Sequence, residues 1–147
     1  RRKRKVKTLP SLDMRVCWVA SRPDRLESPN PQVCELGLVN SYAMSCIQYG
    51  ISPLLDCIYC YHIHVDQKFR RHGYATALLL AISEKYHGLP IVPIHITLGA
   101  CDFWNAAAQW DPDRLVICKD IRDSEMDAEK IRFMTSAAAV PEDFADS

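Results

Sequence analysis

At 147 residues and 48% hydrophobic content, the chain suits one domain around a single sizeable core. No apolar run approaches the ~18–20 residues that span a bilayer, and the first residues lack the charged, apolar, small-residue order of a secretory leader. Formal net charge is zero, but residues 1–7 hold six of the 18 basic side chains, leaving 12 against 18 acidic ones and a body near −6.

Taken in chain order, residues 1–12 form a basic, flexible head opening Arg1-Arg2-Lys3-Arg4-Lys5. Like-charge runs are solvated, so this head reads as a solvated tail or a junction with a further domain, with a localisation signal or a nucleic-acid contact as the alternative, and the acidic body speaks against nucleic-acid binding elsewhere. The chain starts without methionine, which reads as a segment of a longer or processed protein. A domain over residues 13–140 follows, and residues 141–147 form a frayed acidic tail. Within the domain, residues 14–20 predict a strand, from their β-branched and aromatic content. Residues 21–31, rich in Pro, Ser and Asn, predict a loop. Residues 33–39 predict a second strand inside a mixed stretch, and residues 50–53 break the chain. Residues 54–65 predict the longest strand. Apolar Tyr74, Ala77, Leu78, Ala81, Ile82 and Tyr86 follow helical spacing, and His87, Gly88 and Pro90 close that helix. Residues 91–98 predict a strand, with Pro93 placing it at an edge or in a splayed position. Residues 102–110 predict a short helix, and residues 115–118 and 131–135 predict two final strands. Seven cysteines, an odd count lying mostly inside apolar runs, read as reduced and largely buried thiols of a cytoplasmic or nuclear, reducing compartment.

The junction between the longest strand and the first helix carries the chemistry. Val65-Asp66-Gln67-Lys68-Phe69-Arg70-Arg71-His72-Gly73-Tyr74-Ala75-Thr76 leads a strand through a glycine turn into a helix. The first turn of a helix has backbone N–H groups with no intrahelical acceptor, at the positive end of its dipole, which makes a phosphate cradle. Arg70-x-x-Gly73-x-Ala75 in this frame resembles the acetyl-CoA-binding signature of the GNAT superfamily of N-acetyltransferases. That resemblance implies an α/β, GNAT-like acyl-CoA N-acyltransferase fold, a mixed sheet with splayed central strands flanked by helices. It implies that acetyl-CoA binds along Ile63, His64 and Val65, with the pyrophosphate over Arg70, Arg71, His72, Gly73, Tyr74, Ala75 and Thr76. Asn105 resembles the family's asparagine on the following helix. The reaction implied is transfer of an acetyl group to an amine, by direct attack in a ternary complex.

Two departures from the family's pattern bear on mechanism. The place of its frequent acid, a tyrosine seven residues after the asparagine, is taken by Pro112, and the places of its frequent glutamate by Tyr59 and Tyr61. His62, His64 and Tyr61 are therefore the candidate catalytic residues, with a pair of partly buried structural histidines as the alternative. The missing groups equally suit a catalytically weak or inactive GNAT-like module of a longer protein, binding CoA or another protein. Strict strand alternation would put Cys60, His62 and His64 on one face, a zinc-like set, yet no second cysteine pair accompanies them and no metal is expected. Cys60 and Cys101 are the candidates for a less favoured covalent relay. Phe103, Trp104 and Trp110 read as core more than pocket. The acidic surplus after Cys101 suits either a solvated face or an acid-lined cleft, and the latter predicts a cationic acceptor, either a protein or peptide amine or a small polyamine-like one. No membrane partner is expected.

Overall fold

The computed structural model describes residues 8–20 and 31–138. The basic run at 1–7, most of the predicted loop and the tail at 141–147 lie outside the described residues. Five strands form one mixed sheet: β1 (Asp13–Val19), β2 (Val33–Val39), β3 (Tyr42–Ile51), β4 (Ile58–Val65) and β5 (Ile91–Pro93). They lie side by side in sequence order, antiparallel from β1 to β4, with β5 parallel to β4. A parallel neighbour needs a crossover, which α1 (Tyr74–Lys85) supplies. Two further helices are α2 (Cys101–Trp110) and α3 (Met126–Ala138). The protein is thus an α/β molecule. No helix among the described residues is long and apolar enough to cross a membrane.

Each face of the sheet has its own cover. On one, Ile47, Tyr49, Ile58, Cys60 and Val65 pack with Leu78, Leu79 and Ile82 of α1 and Trp104 and Ala107 of α2. On the other, α3 lays Met126 and Phe133 over Cys57, Tyr59, Val92 and Ile94. Met126 and Phe133 are seven residues apart, two helical turns, so they share a face. This overturns the expected strand at 131–135. Ile131 and Met134, apolar residues of that stretch, are 62% and 69% exposed on the helix exterior.

Other boundaries shifted for local reasons. β3 was hidden by its polar residues, Ser45 and Gln48, although it is the longest strand. β4 starts at Ile58 because a turn precedes it: Ser52 donates its N–H to Cys57 O at 3.0 Å, and Leu55 takes φ 58°. The predicted strand at 91–98 stops at Pro93. As expected, it is the terminal strand of the sheet, and residues 116–121 add only isolated parallel bridges beside it, with Ile91 N donating to Val116 O and Ile121 N to Pro93 O. The predicted strand at 115–118 survives only as this short rung, at Ile117. Gly88, at φ 83°, ends α1 by donating its N–H to Ser83 O at 2.7 Å, the six-to-one bond of a left-handed C-terminal cap.

Candidate functional site

The site begins where β4 parts from β5. Ile58, Tyr59 and Cys60 pair with Ile91, Val92 and Pro93, and the last bond is Ile94 N to Cys60 O at 2.8 Å. Beyond Cys60 no rung joins the two strands, while β4 stays paired to β3 as far as Val65. A bulge marks the parting point. Gln48 pairs with His62 and Tyr49 with Cys60, so Tyr61 is an inserted residue. One inserted residue reverses the in–out alternation and bends the strand. Cys60 consequently points into the core, 2% exposed, whereas His62 and His64 lie on the opposite, open face. The single-face Cys60, His62 and His64 set expected from strict alternation therefore does not exist. Among the described residues, no group of three His, Cys, Asp or Glu side chains is placed to hold a metal ion. Burial pushes the Cys60 thiol up to about 12, which removes the thiolate a covalent relay would need.

The open wedge between the strands leads to the start of α1. The chain leaves β4 through a short 3-10 turn at Gln67–Phe69, then bends at Arg71 (φ 66°) and Gly73 (φ 87°). Gly73 is the residue before the first helical turn, with no side-chain cap, so the N–H groups of Tyr74, Ala75 and Thr76 have no intrahelical acceptor. A Cβ on Gly73 would meet Pro10 Cδ at 3.2 Å and Leu9 Cδ2 at 3.5 Å. The glycine is thus required by backbone angle and by the N-terminal segment packed over it. Its missing side chain would not have entered the wedge. Arg70 donates Nε to Val65 O at 2.8 Å, tying the turn to the end of β4.

These elements enclose a cavity of about 740 Å³. Nine of the eleven residues expected to bind a cofactor line it: Ile63, His64, Val65, Arg70, Arg71, Gly73, Tyr74, Ala75 and Thr76. His72 and Asn105 do not; both are exposed, and α2 contributes Asp102, Phe103, Trp104 and Ala106 instead. Sequence reasoning missed Asp102 and Ala106 by fixing on the asparagine between them and the next turn. Phe103 and Trp104, expected as core, are half-buried and buried respectively, and both also wall the cavity. Trp110 lies instead in a separate groove between α1 and residues 8–12.

A second recess, of about 160 Å³, continues the wedge toward its closed end and shares Ile63, Ala100 and Trp104 with the larger cavity. Tyr61, His62, His95 and Thr97 are its polar wall, and Cys60, Ile94 and Ile96 its apolar one. The candidate catalytic residues thus separate: Tyr61 and His62 belong to the recess, His64 to the larger cavity. The two imidazoles nevertheless stack, with ring centroids 6.4 Å apart and planes within 5°. His64 Nε2 lies 3.5 Å from Asp66 Oδ1, and Tyr42 donates its hydroxyl to Asp66 Oδ2 at 3.2 Å. No carboxylate lines the recess, so the acid-lined acceptor cleft expected from the acidic surplus is not found there. Glu129, part of that surplus, accepts from the Tyr59 hydroxyl at 2.6 Å and from Arg132 at 2.8 Å. Cys101 also stands apart from both cavities, donating its thiol to Thr97 O at 3.5 Å. No protein family, curated protein or solved structure matches this chain.

Proposed function

We propose that the chain is an acetyl-CoA-dependent N-acetyltransferase of the GNAT type. The observation that carries this is one continuous wedge joining β4 backbone with no β5 partner to the open N-terminus of α1. Strand backbone bordering a gap suits the amide-rich pantetheine arm, which can hydrogen-bond as an extra strand would. The N–H groups of Tyr74, Ala75 and Thr76, with Arg71 beside them, suit a pyrophosphate. A cavity of about 740 Å³ falls within the usual range of ligand pockets. Asp102 is the one wall residue of like charge to the phosphates.

Acetyl-CoA, when bound, supplies a thioester carbonyl. The chain's own residues then position and deprotonate the acceptor. An alkylammonium with pKa near ~10 must lose a proton before its nitrogen can attack. His62, in the wall of the recess and itself exposed on the open face, receives that proton directly or through water and releases it to solvent, with His64 and its Asp66 partner stacked beside it as a positioning pair. A backbone N–H near Val65 stabilises the oxyanion as the carbon–nitrogen bond forms. The carbon–sulfur bond then breaks as the nitrogen gives up its surplus proton to water, and CoA leaves as the thiolate, which takes a proton from solvent. A second reading, a CoA-binding module without turnover, is favoured by Tyr59. It stands where the family often carries glutamate, and its hydroxyl is fixed by Glu129 and approached by Arg132.

Calorimetric titration with acetyl-CoA tests the proposal. Binding is expected, and Arg71→Glu, at an exposed position in the cavity wall, should weaken it at least ~tenfold by setting a carboxylate against phosphate. Absence of binding at millimolar acetyl-CoA would overturn the transferase and the module alike.

A further inference from the structure

Outside the wedge, three thiols meet on the sheet face turned away from α1. Glu35 accepts from Lys85 of α1 at 3.1 Å, and a Cβ on Gly37 would meet Leu78 of the same helix. Cys34 and Leu36 alternate with these two residues and so face the other way. Cys46 pairs directly with Leu36 and shares that side. Cys17 joins them through an irregularity in β1. Val16 pairs with Glu35 and Trp18 with Cys34, which leaves Cys17 as an inserted residue. In such a bulge two residues of one strand oppose a single residue of the next, so Cys17 and Trp18 both stand opposite Cys34. The three sulfurs are near enough to act on one another. Burial first, then the Cys46 and Cys17 thiols, pushes the Cys34 thiol up to about 11. None of the three lines either cavity of the wedge.

Geometry chooses the partner of Cys34. Opposed residues of an antiparallel pair lie ~4.5–5.5 Å apart at Cα, within the ~4.4–6.8 Å that a disulfide spans. Cys46 is instead a diagonal neighbour of Cys34, at ~7–8 Å, which a disulfide bridges only if the backbone moves. Exposure sets the order of events. Cys17 is open to solvent, whereas Cys34 is only 4% exposed, so an oxidant arriving from water meets Cys17 first. β1 is the other terminal strand of the sheet and is exposed along most of its length, so drawing the two sulfurs together disturbs little packing.

We propose that Cys17 and Cys34 form a peroxide-responsive dithiol, with Cys17 as the attacking thiol and Cys34 as the resolving one. The Cys17 thiolate attacks one oxygen of hydrogen peroxide and the oxygen–oxygen bond breaks. The departing hydroxide takes up the proton that the thiol released, leaving a sulfenic acid and one water. The Cys34 sulfur then attacks the sulfenic sulfur. The sulfur–oxygen bond breaks, and hydroxide leaves with the Cys34 proton as a second water. Two thiols are oxidised to one disulfide while one peroxide is reduced to two waters. The new bond ties the terminal strand β1 to β2.

Treating the whole chain with a small molar excess of hydrogen peroxide at neutral pH tests this. Expected are a monomer lighter by two hydrogens, two fewer free thiols than the seven of the reduced chain, and a Cys17–Cys34 linked peptide that dithiothreitol removes. Cys17→Ser, at an exposed position, should lose the link entirely, whereas Cys118→Ser should keep it. Cys34→Ala should stop at a Cys17 sulfenic acid that dimedone traps. A link through Cys46, a dimer joined through Cys17, or sulfinic acid at Cys17 with no disulfide would overturn the proposal. So would seven thiols left unreacted. Each outcome is read without acetyl-CoA and leaves the transferase proposal where it stood.

Discussion

The two halves of β4 differ more from each other than either does from its neighbours. Up to Cys60 the strand is held on both sides, by β3 and β5, and its residues are sealed under α1 on one face and α3 on the other. Ile58 and Tyr59 have no exposed surface. After the Tyr61 bulge it keeps only β3, exposes His62 and His64, and borders both cavities. One inserted residue separates a half that stabilises from a half that is free to bind. Stability and function therefore respond to different substitutions within eight consecutive residues.

The largest contrast should come from equal truncations. Ile58→Ala removes methyl groups from a sealed site and should cost about 2–5 kcal/mol of unfolding free energy by urea titration. Ile63→Ala, half-exposed beside space that already exists, should cost about 1 kcal/mol. Equal losses would mean that the two halves are packed alike. Next in size, His62→Gln and His64→Gln each should lower kcat by ~10²-fold at neutral pH, the scale of general base catalysis, equivalent to about 2.7 kcal/mol. Acetyl-CoA affinity should hold, because on this reading the strand contributes backbone there. Full turnover in both variants would assign the proton to water.

The sequence made the turn legible because its signal is local. Gly73 before a helical pattern that starts at Tyr74 needs no distant information, and α1 starts at Tyr74 as expected. β2 was likewise legible to the residue, from its own Val33 to Val39. What failed to show was set elsewhere in the chain. The Tyr61 bulge exists only in the register between β3 and β4, so alternation read along β4 alone misplaced Cys60 relative to His62. β3 carries a strand pattern broken by residues whose partners are remote, among them Ser45 donating to Gly37 O. At residues 131–135 the error was one of period. Ile131 and Phe133 alternate like a strand, and only the longer window back to Met126 shows the helical repeat.

A smaller effect probes the sealed half from its outer side. Tyr59→Phe keeps the ring against Phe133, at a centroid distance of 6.4 Å, and removes the hydroxyl that donates to Glu129. Loss of about 1 kcal/mol is expected in urea denaturation, the net worth of one such bond. Acetyl-CoA affinity should not move. A changed affinity would show that α3 communicates with the open half.

The smallest effect is a pH dependence at the turn that feeds β4. Burial pulls the Asp56 carboxyl upward, but hydrogen bonds from Ser52 and Arg132 and the Arg132 charge outweigh it, holding the group below the usual carboxylate range. Arg132 Nη1 lies 2.9 Å from Asp56 Oδ2, which joins α3 to this turn. A folded-state pKa depressed below the unfolded value, near ~3.9, adds stability that is fully present above that value. It is lost as pH falls through the folded-state pKa. The stability difference between the natural chain and Asp56→Asn should therefore be constant from about pH 7 to 5 and shrink below about pH 4. With the Asp56 side chain 48% exposed, the difference should also fall in high salt. A difference that persists unchanged to about pH 2 would show that the Asp56 charge does not help fasten α3 over the sealed half.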